Sequence, residues 1–179
     1  MSRYAAFLRG MNIGGRRLTN ESLRSHFLTM GFAEVATFRA SGNVTFAGEQ
    51  AAEGEVRARI EAGLRDLLGY EVPAFIRTAK EVLGIAGKEP FPPQQLSASK
   101  GKLQVAMLLE KPPAKAAKEL MGHASEGDRL LLAGRELYWL PGGGILESEL
   151  DMKAIERLLG PMTVRTKGTM EQIALKHFT

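Results

Sequence analysis

Hydrophobic and polar positions along the chain alternate between two periods, and the switches between them predict the elements. An apolar run from Tyr4 to Leu8 reads as a first strand. Leu23, Phe27 and Met30 recur at helical spacing, so a helix is expected over about Asn20–Met30. Thr19 is its expected N-cap, Leu18 can staple onto Leu23, and Gly31 closes it as a left-handed cap. A second strand is expected over Glu34–Arg39 and a third over Val44–Ala47, joined by Ser41-Gly42-Asn43, which is turn chemistry. Val56, Ile60, Leu64 and Leu67 form the stripe of a second helix, about Gly54–Leu68, stopped by Gly69. Glu71–Arg77 is the fourth strand. Strand, helix, strand, strand, helix, strand is the split βαβ, ferredoxin-like pattern.

A connector follows. Thr78-Ala79-Lys80-Glu81 is a capping box that starts a short helix carrying Val82, Leu83 and Ile85. Glu89-Pro90-Phe91-Pro92-Pro93 cannot continue that helix. From there to Gly101, Pro, Gln, Ser and Lys dominate, which predicts a loop or linker. The same order of elements then returns. Strands are expected over Leu103–Leu109, Arg129–Ala133, Glu136–Leu140 and Met162–Arg165, with Gly134-Arg135 as a two-residue hairpin turn. Helices are expected over Ala114–Met121, from a Ser148 cap to Leu159, and from a Thr169 cap to about His177. The halves repeat in topology, with no residue-level identity between them. The expected fold is therefore α+β: a ferredoxin-like domain at 1–77, a connecting helix and linker at 78–100, and a second ferredoxin-like domain with a C-terminal helix at 101–179.

Composition changes this picture little. The chain has 179 residues, 44% hydrophobic and 25% charged, as in ordinary folded domains. It has no cysteine, which excludes disulfides and thiolate metal sites and fits a cytoplasmic setting. No cationic segment leads into an apolar run at the N-terminus, and no stretch approaches membrane-spanning length, so no signal peptide and no membrane partner are expected. The net charge of +4 is compatible with anionic partners. Its distribution is more informative. Residues 1–77 carry ten basic residues, all arginine, against eight acidic ones. Residues 78–179 carry ten lysines and four arginines against twelve. Arginine is the better fork for phosphate.

The densest chemistry lies in Arg9-Gly10-Met11-Asn12-Ile13-Gly14-Gly15-Arg16-Arg17. In a βαββαβ plait the first two strands run in one direction. This bend and the Ser41-Gly42-Asn43 turn should then meet at one end of the sheet, above the start of the first helix. Glycines admit close backbone approach and a helix N-terminus offers free N–H groups. Arg9, Asn12, Gly14, Gly15, Arg16, Arg17, Ser41, Gly42 and Asn43 are the candidate ligand-binding residues, with Arg39 nearby, and a phosphate-bearing small molecule is the candidate ligand. The alternative stands beside it: glycines that only shape a tight turn and arginines that are solvated. The run is neither a Walker loop nor Gly-x-Gly-x-x-Gly.

A nucleic-acid-binding module is the second functional class. Arg39 to Phe46 loosely follows the RNA-recognition strand but has Ser41 and Asn43 where stacking aromatics belong. Catalysis has less to stand on. His26, His123 and His177 lack metal-ligand spacing, Ser41 and Ser148 lack a nucleophile elbow, and no cofactor motif is present. Trp139 reads as a sheet residue. Met107, Met121, Met152, Met162 and Met170 read as core filler.

Several segments together resemble a known family. They are Tyr4-Ala5-Ala6-Phe7-Leu8-Arg9-Gly10-Met11-Asn12-Ile13-Gly14-Gly15, Gly31-Phe32 leading to Ser41-Gly42-Asn43-Val44-Thr45-Phe46, Val72-Pro73, Arg77-Thr78-Ala79-Lys80-Glu81, Pro90-Phe91, and Ser125-Glu126-Gly127-Asp128. The chain resembles the bacterial domain of unknown function 1697 family over nearly its whole length. That resemblance implies an α+β fold with ferredoxin-like parts and implies no activity. Two segments depart from it. Arg165-Thr166-Lys167-Gly168-Thr169 replaces an Arg-Asn-Trp-Asn-Thr segment and lacks its aromatic, and Ser148-Glu149-Leu150 stands where Ser-Lys-Leu is usual. A ligand contact made there in relatives would be altered here.

Overall fold

A computed structural model describes residues 1–39, 42–143 and 148–179. Ser41, one of the candidate ligand residues, lies outside the described residues. Contacts divide the chain into two units, one of Met1–Leu83 with Ile173–Thr179 and one of Gly84–Gln172.

The first unit carries β1 (Ser2–Leu8), α1 (Asn20–Thr29), β2 (Ala33–Thr37), β3 (Asn43–Gly48), α2 (Glu53–Leu68) and β4 (Ala74–Thr78). The strands lie in the order β2-β3-β1-β4, every pair antiparallel. Alternation explains the packing. Tyr4, Ala6 and Leu8 of β1, Val44 and Phe46 of β3 and Ala74 and Ile76 of β4 share one core with Leu23 and Phe27 of α1 and Val56, Ile60 and Leu64 of α2. Leu67, the last residue of the expected α2 stripe, is exposed instead. The opposite face of the sheet is buried as well: Ala5, Phe7, Asn43, Thr45, Phe75 and Arg77 are all covered. Within this unit the chain's C-terminal end contributes to that cover. Arg3 donates to the carbonyl of His177 and sits over the Phe178 ring at 5.3 Å, and His177 meets Phe38 edge-on at 6.5 Å.

That arrangement gives a pH dependence. The His177 Nε2 is buried with no hydrogen-bond partner among the described residues. Burial first, then Lys176 and Arg3, hold its pKa below the ordinary 6.5. The unfolded chain takes this proton at a higher pH than the folded one does. The contribution of His177 is therefore level above about 6.5 and is lost as pH falls through that value. Urea midpoints at pH 7.5 and 5.5 should show a larger acid loss for the wild type than for His177→Leu; equal losses would rule this residue out.

The second unit repeats the order with β5 (Gln104–Leu108), α5 (Ala114–Leu120), β6 (Asp128–Ala133), β7 (Glu136–Pro141), α6 (Met152–Leu159) and β8 (Met162–Thr166), the strands lying β6-β7-β5-β8. Ala106, Leu108, Leu137, Trp139 and Met162 pack on Leu120, Ile155 and Leu159. Met107, Met162 and Met170 are buried as core filler, whereas Met121 is 52% exposed, at the start of a 3-10 turn. The α3 helix (Ala79–Gly87) follows β4, and its capping box is reciprocal: Thr78 N donates to Glu81 Oε2 at 2.8 Å and Glu81 N to Thr78 Oγ1 at 3.2 Å.

Three expectations change. The Pro-rich stretch contains a helix, α4 (Pro93–Ala98), because proline at the first helical positions loses no hydrogen bond the helix would make. Ser148 does not cap α6. Asp151 does, accepting from Ala154 N at 3.0 Å, while the Ser148 hydroxyl donates to Asp128. The last helix, α7 (Lys167–His177), starts earlier than expected, with Thr166 Oγ1 accepting from Thr169 N. This last point exposes one echo at residue level between the halves. Arg77-Thr78 and Arg165-Thr166 end β4 and β8 in the same register, opposite Ala5 and Val105, and each threonine accepts the N–H three residues on. Burial lowers the Arg165 pKa to about 10.

Candidate functional site

The bend between β1 and α1 is set by three left-handed glycines, Gly10 (φ +70), Gly14 (φ +67) and Gly15 (φ +80). A Cβ at Gly14 or Gly15 would meet no atom within 4 Å, so the tip of the bend stands in open space. Its base is fastened at several points. Arg9 N donates to Pro73 O at 3.0 Å, Asn12 Oδ1 accepts from Leu18 N at 2.9 Å, and Met11 is buried. The Tyr70 hydroxyl donates to Met11 O at 3.0 Å, and the Arg16 guanidinium lies over the Tyr70 ring with Cζ 4.0 Å from its centroid. Arg9, Arg16 and Arg17 are all exposed.

The second bend does meet the first. Leu8 N donates to Gly42 O at 2.8 Å, and Phe7 pairs with Asn43 across β1 and β3. Gly42 (φ +75) has no room for a side chain, since its Cβ would lie 3.1 Å from Leu8 Cβ. Asn43 is buried, and its Nδ2 donates to Phe38 O at 2.9 Å, which closes the β2–β3 turn. The Asn20 amide donates to Arg39 O at 3.0 Å and ties that turn to α1. Arg9, Gly14, Gly15, Arg16, Arg17 and Gly42 are thus brought to one end of the sheet. Asn12 and Asn43 direct the polar atoms named here into holding the bends.

The start of α1 is served from within. Thr19 Oγ1 accepts from Ser22 N at 3.1 Å, and Glu21 sits in the first turn, where a carboxylate complements the helix dipole. The positive character of the corner accordingly rests on its arginines. Most other arginines of the first unit serve the fold. Arg24 donates to Val35 O, Arg59 to Met30 O and Arg77 to Ile76 O, besides Arg3 to His177 O. Arg16 and Arg17 differ: their guanidinium groups have no hydrogen-bond acceptor and no ion pair among the described residues. Tyr70 was not legible as part of the corner. Its only sequence signal is an aromatic directly after the α2 cap Gly69, far along the chain from Arg16.

In the second unit a cleft of about 220 Å³ is lined by Gln95, Ser99, Glu126, Arg129 and Gly142, among others, and the Ser99 hydroxyl there is occupied with Pro141 O. No group of three or more His, Asp or Glu side chains is placed to hold a metal among the described residues. No helix is long and apolar enough to cross a membrane.

The model of the family described as "Protein of unknown function (DUF1697)" matches residues 1–138. No curated protein matches the chain. A solved structure described as a conserved bacterial protein from Streptococcus pneumoniae is similar in fold, with a TM-score of 0.71 at 15% identity, covering 98% of this chain and 97% of that one. The chain belongs to the DUF1697 family.

Proposed function

We propose that this DUF1697 protein binds a phosphate-bearing or other anionic small ligand at the bend between β1 and α1. Its halves read as ferredoxin-like, and its cysteine-free composition fits a cytoplasmic role. The observation that carries the reading is the pair of exposed guanidinium groups, Arg16 and Arg17, without protein acceptors among the described residues. Solvated arginine is common on surfaces, but here one of the two is held over an aromatic ring on a fastened glycine bend. That lowers the entropy lost when it grips an anion. Arg9 and the backbone of Gly14 and Gly15 complete the proposed seat.

The nucleic-acid alternative has less support. Sheet-type RNA recognition needs an open face carrying aromatic rings, whereas Ala5, Phe7, Thr45 and Phe75 on the face away from α1 and α2 are buried.

Thermal shift against pyrophosphate and ribose 5-phosphate tests the proposal. The melting temperature should rise with ligand concentration. Arg16→Ala with Arg17→Ala should weaken binding by roughly two to four orders of magnitude, from two charge-assisted contacts of about 1.5–3 kcal/mol each. Arg57→Ala, which removes a charge from α2, should change it little. No shift with either ligand, or equal loss in the Arg57 control, would defeat the reading.

A further inference from the structure

We infer that the ligand is a free mononucleotide, its base stacked on Arg16 and its phosphate held by Arg17 and Arg9; this rests on the anion reading above. Arg16 is the particular observation. A guanidinium is flat, and this one lies over the Tyr70 ring, with Cζ 4.0 Å from the ring centroid. The ring cannot easily turn away, because its hydroxyl is fixed on Met11 O at 3.0 Å and its chain position follows the left-handed Gly69 (φ +78). Arg16 is also anchored through its own N–H to Ile13 O at 3.3 Å. The side chain remains exposed, so a second planar group can stack on the guanidinium from the solvent side.

Arginine planes and aromatic rings are the two surfaces on which proteins stack nucleobases, and here an exposed arginine lies over an aromatic ring. Ile13, 66% exposed at the tip of the same bend, offers an apolar edge to such a base. The space around Gly14 and Gly15 is open, which leaves room for a sugar beside Arg17. A bare phosphate or a sugar phosphate would use the charge and leave the guanidinium plane and Ile13 idle. One stacking plane and three arginines suit one nucleotide rather than a strand.

The experiment compares ligands that share a phosphate and differ in the base. Isothermal titration should show adenosine monophosphate binding roughly ten- to a hundredfold tighter than ribose 5-phosphate, the range that stacking one base supplies. Arg16→Lys keeps the charge and loses the plane. It should bring the two ligands to within about threefold of each other while both still bind. Tyr70→Phe keeps the ring but loses its hold on Met11 O, so it should keep only part of the preference. Equal affinity in the wild type would overturn the nucleotide inference and leave the anion reading standing. Binding of neither ligand would overturn both. A trinucleotide that binds more than tenfold tighter than the monophosphate, with a steep loss in salt, would overturn the free mononucleotide in favour of a strand. Preference retained in Arg16→Lys would overturn the stacking role.

Discussion

Phe46→Ala should lower the stability of the first unit by about 4 kcal/mol, in the range for a buried phenylalanine cut to alanine. Phe46 is 2% exposed and sits at the middle of four aromatic rings. Its centroid lies 4.6 Å from that of Phe32, 5.4 Å from that of Phe27 and 5.5 Å from that of Tyr4. Those three come from separate elements: Tyr4 from β1, Phe27 from α1, and Phe32 from the turn between α1 and β2. The ring therefore joins the sheet to its helix layer, and no single neighbour can move in to fill the space. Each aromatic pair adds about 0.5–1.5 kcal/mol beyond area burial, which places the loss towards the upper part of the range. Urea unfolding followed by far-UV circular dichroism would measure it. Phe46→Leu keeps most of the volume and should recover more than half of the loss. A cost below about 1 kcal/mol for the alanine variant would mean that the cluster collapses around the void and that Phe46 is not its centre.

The third strand, on which Phe46 lies, was legible in the sequence because its run of residues is local. Phe46 lies two residues from Val44 on a strand whose alternate positions face the helices. The other elements legible in the sequence are of the same kind: the β1 run, the α2 stripe as far as Leu64, the Gly134-Arg135 turn and the Thr78–Glu81 capping box are all decided by residues within a few positions of each other. The misses share the opposite property. Ser148 has the look of a cap, but Asp128, twenty residues earlier in the chain, takes its hydroxyl, and Asp151 becomes the cap. The arginine bias of the first 77 residues looked like an anion-binding signal, yet several of those side chains end on backbone carbonyls. The partner of Arg3 is at His177 and that of Arg59 is at Met30. Such partners depend on tertiary placement, and sequence spacing does not contain it. The candidate corner was half visible for the same reason. Its glycines, arginines and strand direction are local or follow from topology, and the contact between Leu8 and Gly42 agrees with them. Tyr70, which gives Arg16 its orientation, lies outside any local window.

Asp128→Ala should cost the second unit about 3 kcal/mol and should change the fluorescence of Trp139, the single tryptophan of the chain. Asp128 is 5% exposed at the start of β6 and pairs with Pro141 at the end of β7. Its Oδ1 accepts twice, from the indole Nε1 of Trp139 at 2.8 Å and from the Ser148 hydroxyl at 2.7 Å. Ser148 can rotate its hydroxyl to another acceptor or to water. The indole N–H cannot, because Trp139 is 4% exposed and fixed between β5 and β6. Removing the carboxylate would strand a buried donor, which costs about 1–3 kcal/mol beyond the lost bonds. Asp128→Asn separates this from a general effect of mutation at the turn. An asparagine oxygen placed at Oδ1 accepts from the same two donors, so this variant should lose about 1 kcal/mol or less and keep the wild-type emission. The turn itself is held by backbone and by Ser125, whose hydroxyl accepts from Asp128 N at 3.1 Å, so neither substitution removes it. Ser148→Ala should cost about 1 kcal/mol and should cost less in the Asp128→Ala background, where only the bond its hydroxyl accepts from Leu150 N at 3.1 Å is left to lose. If the alanine and asparagine variants lose equal stability, the carboxylate is not what holds the indole, and the buried Trp139 owes its place to packing alone.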